Sequence, residues 1–161
     1  MIAIRPATLA DAATIVALVQ RLAEFERSPT PVALTEDIVR RDCFGSDPRL
    51  RVLLAEADGH VCGMVTLLDA YSSWSGAGTM IIHDLYVDTQ VRGLGIGGKL
   101  LAAVAQMAAA RGCCRLDVNV LSWNSAARSF YAKLGFSPLA DWLPYRLSAQ
   151  GIHQLAGTSA G

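Results

Sequence analysis

A glycine-rich segment at residues 92–98 carries the strongest chemical signal in the chain. It lies between a strand-like run and a helix-like run, at the place where the helix would begin. Glycines let successive backbone N–H groups converge on an anion at the positive end of a helix, and Arg92 adds a cation. The segment therefore predicts a pyrophosphate site that needs no metal. The residues assigned to it are Arg92, Gly93, Leu94, Gly95, Ile96 and Gly97.

Two other phosphate-binding motifs fit this segment less well. Gly93, Gly95 and Gly98 satisfy the G-x-G-x-x-G pattern of dinucleotide-binding domains. That pattern starts directly at a strand end, whereas residues 88–92 intervene here and the unit follows an antiparallel hairpin. A P-loop needs Ser or Thr after Lys99, where this chain has leucine. A glycine-rich helix entry without any ligand remains an alternative to the phosphate site.

The composition restricts the classes of function. The 161 residues are 52% hydrophobic and 17% charged, which suits one globular domain. Lys plus Arg number 14 and Asp plus Glu number 14, so we expect no nucleic-acid partner. Apolar runs fall short of the roughly 20 residues that cross a bilayer, and residues 1–6 do not resemble a secretory leader, so we expect a cytoplasmic protein without a membrane partner. Cysteine and histidine spacing predicts no metal.

Periodicity and turn signals predict the elements that position the glycine-rich segment. In chain order we expect a strand at 2–4, a helix after the cap Thr8, a helix at 35–44, strands at 51–57, 60–68 and 79–87, a helix at 93–112, a strand at 116–121, a helix at 125–134 and last strands near 136 and 145–147. Hairpins alternate with crossovers, which predicts an α/β (α+β) fold with a mixed, mostly antiparallel sheet of about six to seven strands and about four helices. We expect one domain at 1–155 and a flexible tail at 156–161.

The glycine-rich segment also resembles a known family motif. The acyl-CoA motif of the GNAT acyltransferases reads Arg or Gln, two residues, Gly, one residue, Gly or Ala, and Arg92, Gly95 and Gly97 fill it. The resemblance is closest to the spermidine/spermine (diamine) N-acetyltransferase branch. It extends through residues 4–8, 34–36, 74, 92–97, 123–124 and 130–131. It implies the GNAT fold, a homodimer, and transfer of an acetyl group from acetyl-CoA to a small amine.

The resemblance also implies roles for residues outside the motif. In that family the strand before the phosphate loop splays from its neighbour, and its exposed backbone holds the pantetheine arm, here at Leu85, Tyr86 and Val87. Asn124 matches a position that contacts the coenzyme arm. Tyr131 matches the tyrosine that lies at the coenzyme and protonates the departing thiolate, for which a phenol is suited. A tyrosine that only packs in the core is the alternative for Tyr131.

The base is where the chain departs from related enzymes, which carry Glu at the position of His83, followed by the matching acid Asp84. A neutral imidazole has a pKa of about 6.5 and can accept the amine proton, directly or through water. A strand histidine satisfied by hydrogen bonds is an equal alternative. An acidic, partly aromatic pocket for an ammonium group could be lined by Glu26, Asp69, Asp84 and Trp74. Glu24 and Glu26 could equally form the solvated end of a helix.

The residues around Trp74 bear on the identity of the acceptor. Family members that take polyamines carry acids beside the position of Trp74, whereas this chain has Ser72, Ser73 and Ser75. A shorter diamine or a lysine-like amino acid therefore fits at least as well as a polyamine. Two other functions remain open at this point. A protein N-terminus or lysine as acceptor would need an open groove, and the replacement of Glu by His83 is compatible with a catalytically weak acyl-CoA sensor.

Overall fold

The computed structural model describes residues 1–158, which form two compact units, one comprising Met1–Leu121 and one beginning at Ser122. The described residues contain five β-strands and five α-helices. Their bounds are β1 Ile2–Pro6, α1 Ala12–Phe25, α2 Glu36–Phe44, β2 Arg51–Ala57, β3 His60–Ser72, β4 Ala77–Val87, α3 Ile96–Ala110, β5 Leu116–Val118, α4 Ser125–Lys133 and α5 Ala149–Gly157. The predicted mixed α/β architecture is confirmed.

One five-stranded sheet organises the first unit, with the strands in the order β1-β2-β3-β4-β5. The first four strands pair antiparallel, and β5 pairs parallel to β4 after the crossover through α3. Asp58 and Gly59 form the expected turn between β2 and β3, with φ angles of 50° and 82°. These positive φ angles match a two-residue hairpin turn, which explains the Asp-Gly pair.

The sheet is covered on both faces, which makes its central strands a rigid support. On one face Val52 and Leu54 of β2 belong to a buried cluster with Ile15 of α1. On the other face α3 approaches so closely that a Cβ placed on Gly63 of β3 would lie 3.5 Å from Leu100 Cδ1. Neighbouring residues of a strand point to opposite faces and both faces are covered, so the central residues of β2 and β3 are buried.

The strand count is lower than the sequence predicted: five strands replace the expected six to seven in the described part of the chain. The expected strands near Phe136 and at Tyr145–Leu147 do not form there. The N–H of Phe136 instead bonds to the Tyr131 carbonyl at 3.0 Å and closes the end of α4, while Gly135 adopts a φ of 91°. Pro144 precedes the second segment and offers no N–H for a ladder.

The helix α5 was not predicted, and it begins directly after the segment expected to form a last strand. Ser148 caps it by accepting a hydrogen bond from the Gly151 N–H at 3.2 Å. The helix continues to Gly157, so the expected flexible tail at 156–161 starts inside a helix. Residues 159–161 lie outside the described residues.

Candidate active site

The edge of β4 opens towards its carboxyl end. Residues Met80–Ile82 of β4 pair with Leu116–Val118 of β5. Strand β4 itself continues to Val87. In the described residues, positions 83–87 therefore have no β5 partner along this edge. A sheet that opens in this way exposes backbone donors and acceptors that an extended ligand can pair with.

The hydrogen-bond phase of β4 decides which backbone groups face the opening. The N–H of Asp88 bonds to the Cys62 carbonyl at 2.9 Å, so Tyr86, two residues earlier, also pairs with β3. Leu85 and Val87 alternate with these residues, and their backbone groups point away from β3 to the open edge. Of the three residues expected at the pantetheine arm, Tyr86 differs, because its backbone pairs with β3 and its side chain is buried.

A bulge in β4 gives His83 its orientation. Leu67 of β3 pairs with Ile82 and Thr66 pairs with Asp84, so His83 is the extra residue that has no cross-strand partner. A bulge breaks the alternation of side chains and re-aims the residue it contains. The side chain of His83 is 57% exposed, and its Nδ1 lies 3.2 Å from Asp84 Oδ1. The bulge therefore presents an imidazole beside a carboxylate.

The carboxylate of Asp84 is held by His83 on one side and Thr66 on the other. Its Oδ2 accepts from the Thr66 hydroxyl at 2.5 Å, and the Asp84 backbone N–H donates to Thr66 Oγ1 at 3.0 Å. Burial raises the pKa of Asp84, but the bonds from His83 and Thr66 outweigh burial and bring the pKa below its ordinary value. Asp84 is therefore ionised at neutral pH and acts as an acceptor for Nδ1–H of His83.

The charge of Asp84 acts on two neighbouring groups. The hydrogen bond to Asp84, reinforced by its negative charge, raises the pKa of His83 above the ordinary imidazole value, against a smaller lowering by burial. Glu26, which follows α1, has its pKa raised first by burial and then by the charge of Asp84. The charge of Asp84 therefore acts on both His83 and Glu26.

Arg92 joins the end of α1 to the end of β4. Its guanidinium lies 4.3 Å from the centre of the Phe25 ring, and its Nε donates to the Val87 carbonyl at 3.0 Å. A cation over an aromatic face is a favourable contact. Because Phe25 is followed by Glu26, the arginine that opens the glycine-rich segment also holds the acidic end of α1 in place.

The glycine-rich segment has the conformation that its sequence demands. Gly93 and Gly95 adopt φ angles of 84° and 75°, which residues with a Cβ rarely adopt. Gly95 is the N-cap of α3, whose first intrahelical bond runs from the Lys99 N–H to the Gly95 carbonyl at 3.1 Å. The N–H groups of residues 96–98 precede that bond and have no intrahelical acceptor, which suits an anion. Leu94 is exposed here, whereas Ile96 is buried in the core.

Asn124 and Tyr131 lie in the second unit. Asn124 is the N-cap of α4 and accepts from the Ala127 N–H at 3.1 Å, so its side-chain oxygen is used within the helix. Tyr131 is buried, and its ring meets the rings of Phe130 and Phe136 edge to face, each at 5.3 Å between centres. Such edge-to-face contacts between aromatic rings are favourable and contribute to the packing of Tyr131.

Trp74 stands apart from the other candidate residues. It occupies the turn between β3 and β4 and is 94% exposed. Asp84 lies roughly 20 Å further along β4 at the usual rise per residue of a strand. The chain therefore does not bring Trp74 next to Glu26 and Asp84, because the two strands extend past their predicted ends and carry the turn outwards.

Sequence reasoning missed two residues at this site, Thr66 and Phe25. Thr66 lies in the otherwise apolar strand β3, where a threonine resembles one more β-branched residue. Its partner becomes visible only through the register of β3 against β4, including the bulge. Phe25 resembles any apolar residue at a helix end, and nothing in the local pattern pairs it with Arg92.

Comparison with known proteins identifies the family to which the chain belongs. The pattern of the Acetyltransferase (GNAT) family matches residues 15–136. The chain belongs to the GNAT family. The resemblance seen in the sequence is thus confirmed, and the chain is an acyl-CoA-dependent N-acetyltransferase that uses acetyl-CoA as cosubstrate.

Relatives of this GNAT chain include enzymes with named acceptors. Thialysine N-epsilon-acetyltransferase of Mus musculus is 35% identical over 165 residues, covering 96% of both chains. The spermidine/spermine N(1)-acetyltransferase-like protein 1 of Homo sapiens is 28% identical, over 95% of this chain and 23% of its own length. Among solved structures, an integron cassette protein from the mobile metagenome of V. cholerae has a TM-score of 0.82 at 24% identity, over 98% of each chain. That structure shows the same fold.

Neither a metal-ligand cluster nor a membrane-spanning helix is present in residues 1–158. No group of three or more His, Cys, Asp or Glu side chains in these residues is arranged to hold a metal ion. None of the helices in the same residues combines the length and the apolar character that a membrane span requires.

Proposed function

We propose that this GNAT enzyme acetylates a primary amine of a small molecule, such as a diamine, a polyamine or a lysine-like amino acid. The observation that carries the proposal is the His83–Asp84 pair at the opening of β4, with His83 Nδ1 lying 3.2 Å from Asp84 Oδ1. An ionised Asp84 keeps the proton on Nδ1, so that Nε2 of His83 has a free lone pair. His83 then acts as the base that takes the proton from the acceptor amine.

Acetyl-CoA supplies an activated acyl group to this site as a thioester. The conformation of the chain fits the coenzyme, since residues 93–97 offer backbone N–H groups at a helix start and Arg92 adds positive charge. Leu85 and Val87 turn their backbone groups to the open edge of β4, where an extended arm can pair with them. From the resemblance we assign Asn124 to the coenzyme arm and Tyr131 to protonation of the leaving thiolate.

Recognition of the amine is assigned to the negative charges near His83. Asp84 is ionised, and Glu26 lies close enough for the charge of Asp84 to raise its pKa. Two carboxyl groups beside one imidazole attract a cationic acceptor, which fits the thialysine and spermidine/spermine names of the relatives. Trp74 lies too far along the hairpin to join these two carboxyl groups within one chain.

The function is tested by following release of free thiol from acetyl-CoA with a panel of acceptors. The panel holds short diamines, spermidine, lysine, thialysine and, as a separate arm, peptides with a free N-terminus or a lysine side chain. We expect turnover with at least one small amine and much slower turnover with every peptide. A preference for peptides, or coenzyme binding without turnover on any acceptor, would contradict the proposal.

We also propose that the enzyme is a homodimer. Large apolar side chains are exposed over residues 139–155 of the second unit, and exposed apolar surface is where protein partners bind. They are Leu139, Trp142, Leu143, Tyr145, Leu147, Ile152 and Leu155. We expect light scattering after size exclusion to give twice the chain mass of 17.1 kDa. Replacement of Trp142 by serine should shift the mass towards the single chain, and a wild-type protein that elutes as a monomer at every concentration would refute the dimer.

A further inference from the structure

Thr66 is a fully buried polar residue that faces the catalytic pair from the neighbouring strand. It lies on β3 directly opposite Asp84, and its side chain has no solvent exposure. Its Oγ1 donates to Asp84 Oδ2 at 2.5 Å and accepts from the Asp84 backbone N–H at 3.0 Å. The hydroxyl therefore binds both the main chain and the side chain of one residue.

Packing alone does not explain a hydroxyl at this position. The neighbours Met64, Val65 and Leu67 on β3 are all fully buried and apolar, and valine has nearly the shape of threonine. A buried hydroxyl costs free energy unless it is hydrogen-bonded. Both bonds of Thr66 go to Asp84, so what the hydroxyl adds to the site is the orientation of that carboxyl group.

The orientation matters because the two carboxylate oxygens have different partners. With Oδ2 held by Thr66, Oδ1 remains directed at His83 Nδ1. A carboxylate that can rotate holds the imidazole less well and no longer selects one tautomer. The arrangement corresponds to a hydroxyl that orients an acid, which in turn orients a base.

We infer that Thr66 is a positioning residue for acetyl transfer: it locks Asp84 in the rotamer that keeps His83 in its Nδ1–H tautomer, with Nε2 free to accept the amine proton. The inference rests on the proposed function for its chemical meaning, but the effect on His83 can be measured without turnover. The acidic groups near His83 are Asp84 and Glu26, which follows α1, and both remain when Thr66 is changed.

The direct test is NMR titration of the His83 imidazole in the full chain with Thr66→Val, Thr66→Ala or Thr66→Ser. In the wild type we expect one dominant tautomer and a pKa above the ordinary imidazole value of about 6.5. Thr66→Val and Thr66→Ala should both lower the pKa of His83 and give a mixture of tautomers. Thr66→Ser keeps the hydroxyl and should retain the wild-type values. The two hydroxyl-free variants differ in size, so agreement between them separates the hydroxyl from packing.

A double-variant control shows whether Thr66 acts through Asp84. In an Asp84→Asn background the carboxylate is absent, so adding Thr66→Val should change the pKa of His83 no further. In turnover assays, Thr66→Val should lower kcat about fivefold, the loss expected for one hydrogen bond, with little change in KM for acetyl-CoA. Thr66→Ser should restore kcat. An unchanged His83 pKa and tautomer in a folded Thr66→Val protein would overturn the inference, as would an equal pKa shift in the Asp84→Asn background. Failure of the proposed function shows separately, as absent turnover by the wild-type chain.

Discussion

Replacing His83 by glutamine is expected to lower kcat/KM for amine acetylation about 100-fold, the usual contribution of a positioned general base. Glutamine keeps the size and polarity of the side chain but cannot take a proton at neutral pH. The ionised Asp84 holds the proton on Nδ1 of His83 and leaves the lone pair of Nε2 free. Without this imidazole the chemical step loses its proton acceptor. Affinity for acetyl-CoA should stay close to that of the wild type, because residues 92–97 are unchanged.

The pH dependence gives the same prediction a second readout. The hydrogen bond to Asp84 raises the pKa of His83 above 6.5, so the unprotonated base is complete only at higher pH. In the wild type kcat/KM should therefore rise with pH through a midpoint above 6.5. In the His83→Gln protein this limb should vanish, while any rise near the pKa of the amine remains.

A matched histidine provides the control for this experiment. His60 is also exposed at the surface of the first unit, at the start of β3 beside the Asp58–Gly59 turn. His60→Gln should leave both kcat/KM and its pH profile unchanged. Similar losses in the two variants, or a wild-type pH limb retained in His83→Gln, would show that His83 is not the base.

The order of elements could be predicted from sequence because it depends on local patterns. The Asp58–Gly59 turn and the apolar stripe of α1 specify their elements without reference to the rest of the chain. The glycine-rich segment is also recognisable in the sequence, because the positive φ angles at Gly93 and Gly95 favour glycine at these positions. Local signals of this kind identified the strand and the helix on either side of the glycine-rich segment.

The second unit shows where local patterns mislead. Tyr145–Leu147 has the composition of a strand, but strand formation needs a partner edge, and the residues lead into the cap of α5 instead. Phe136 follows Gly135, and its N–H bonds back to the Tyr131 carbonyl at the end of α4. Both expected strands depended on partners that the pattern of one segment cannot reveal.

The chemistry around His83 could be predicted only in part, because it too depends on contacts between segments distant in sequence. The sequence pairs His83 with Asp84 because they are neighbours, but neighbours on a regular strand face opposite sides of the sheet. The bulge brings the two side chains together, and it arises from the register of β3 against β4. Thr66 enters the site through the same register, from a position that is distant in sequence. A contact between side chains on two strands can be predicted only when the register of the strands is known. The strand propensity of each segment does not give that register.

The second large effect is expected at the coenzyme, where Gly95→Val should weaken acetyl-CoA binding about tenfold or more. Gly95 has a φ of 75° and caps α3, and a β-branched residue in this left-handed conformation costs about 1–2 kcal/mol. The chain relieves that strain by turning the peptide groups that lead into α3. The N–H groups of residues 96–98 then no longer point to a common anion. Titration calorimetry with acetyl-CoA measures the change directly.

The control variant is Gly59→Val, which places the same backbone strain in the turn between β2 and β3, outside the glycine-rich segment. Gly59 has a φ of 82°, and a Cβ added there, like one added to Gly95, would meet no heavy atom within 4 Å beyond its chain neighbours. Gly59→Val should lower the melting temperature as Gly95→Val does, because both force valine into a left-handed conformation, yet it should bind acetyl-CoA like the wild type. Coenzyme affinity that survives in Gly95→Val, or falls equally in Gly59→Val, would mean that the backbone at residues 93–97 does not hold the diphosphate. A selective loss in Gly95→Val ties acetyl-CoA binding to the conformation that these glycines permit.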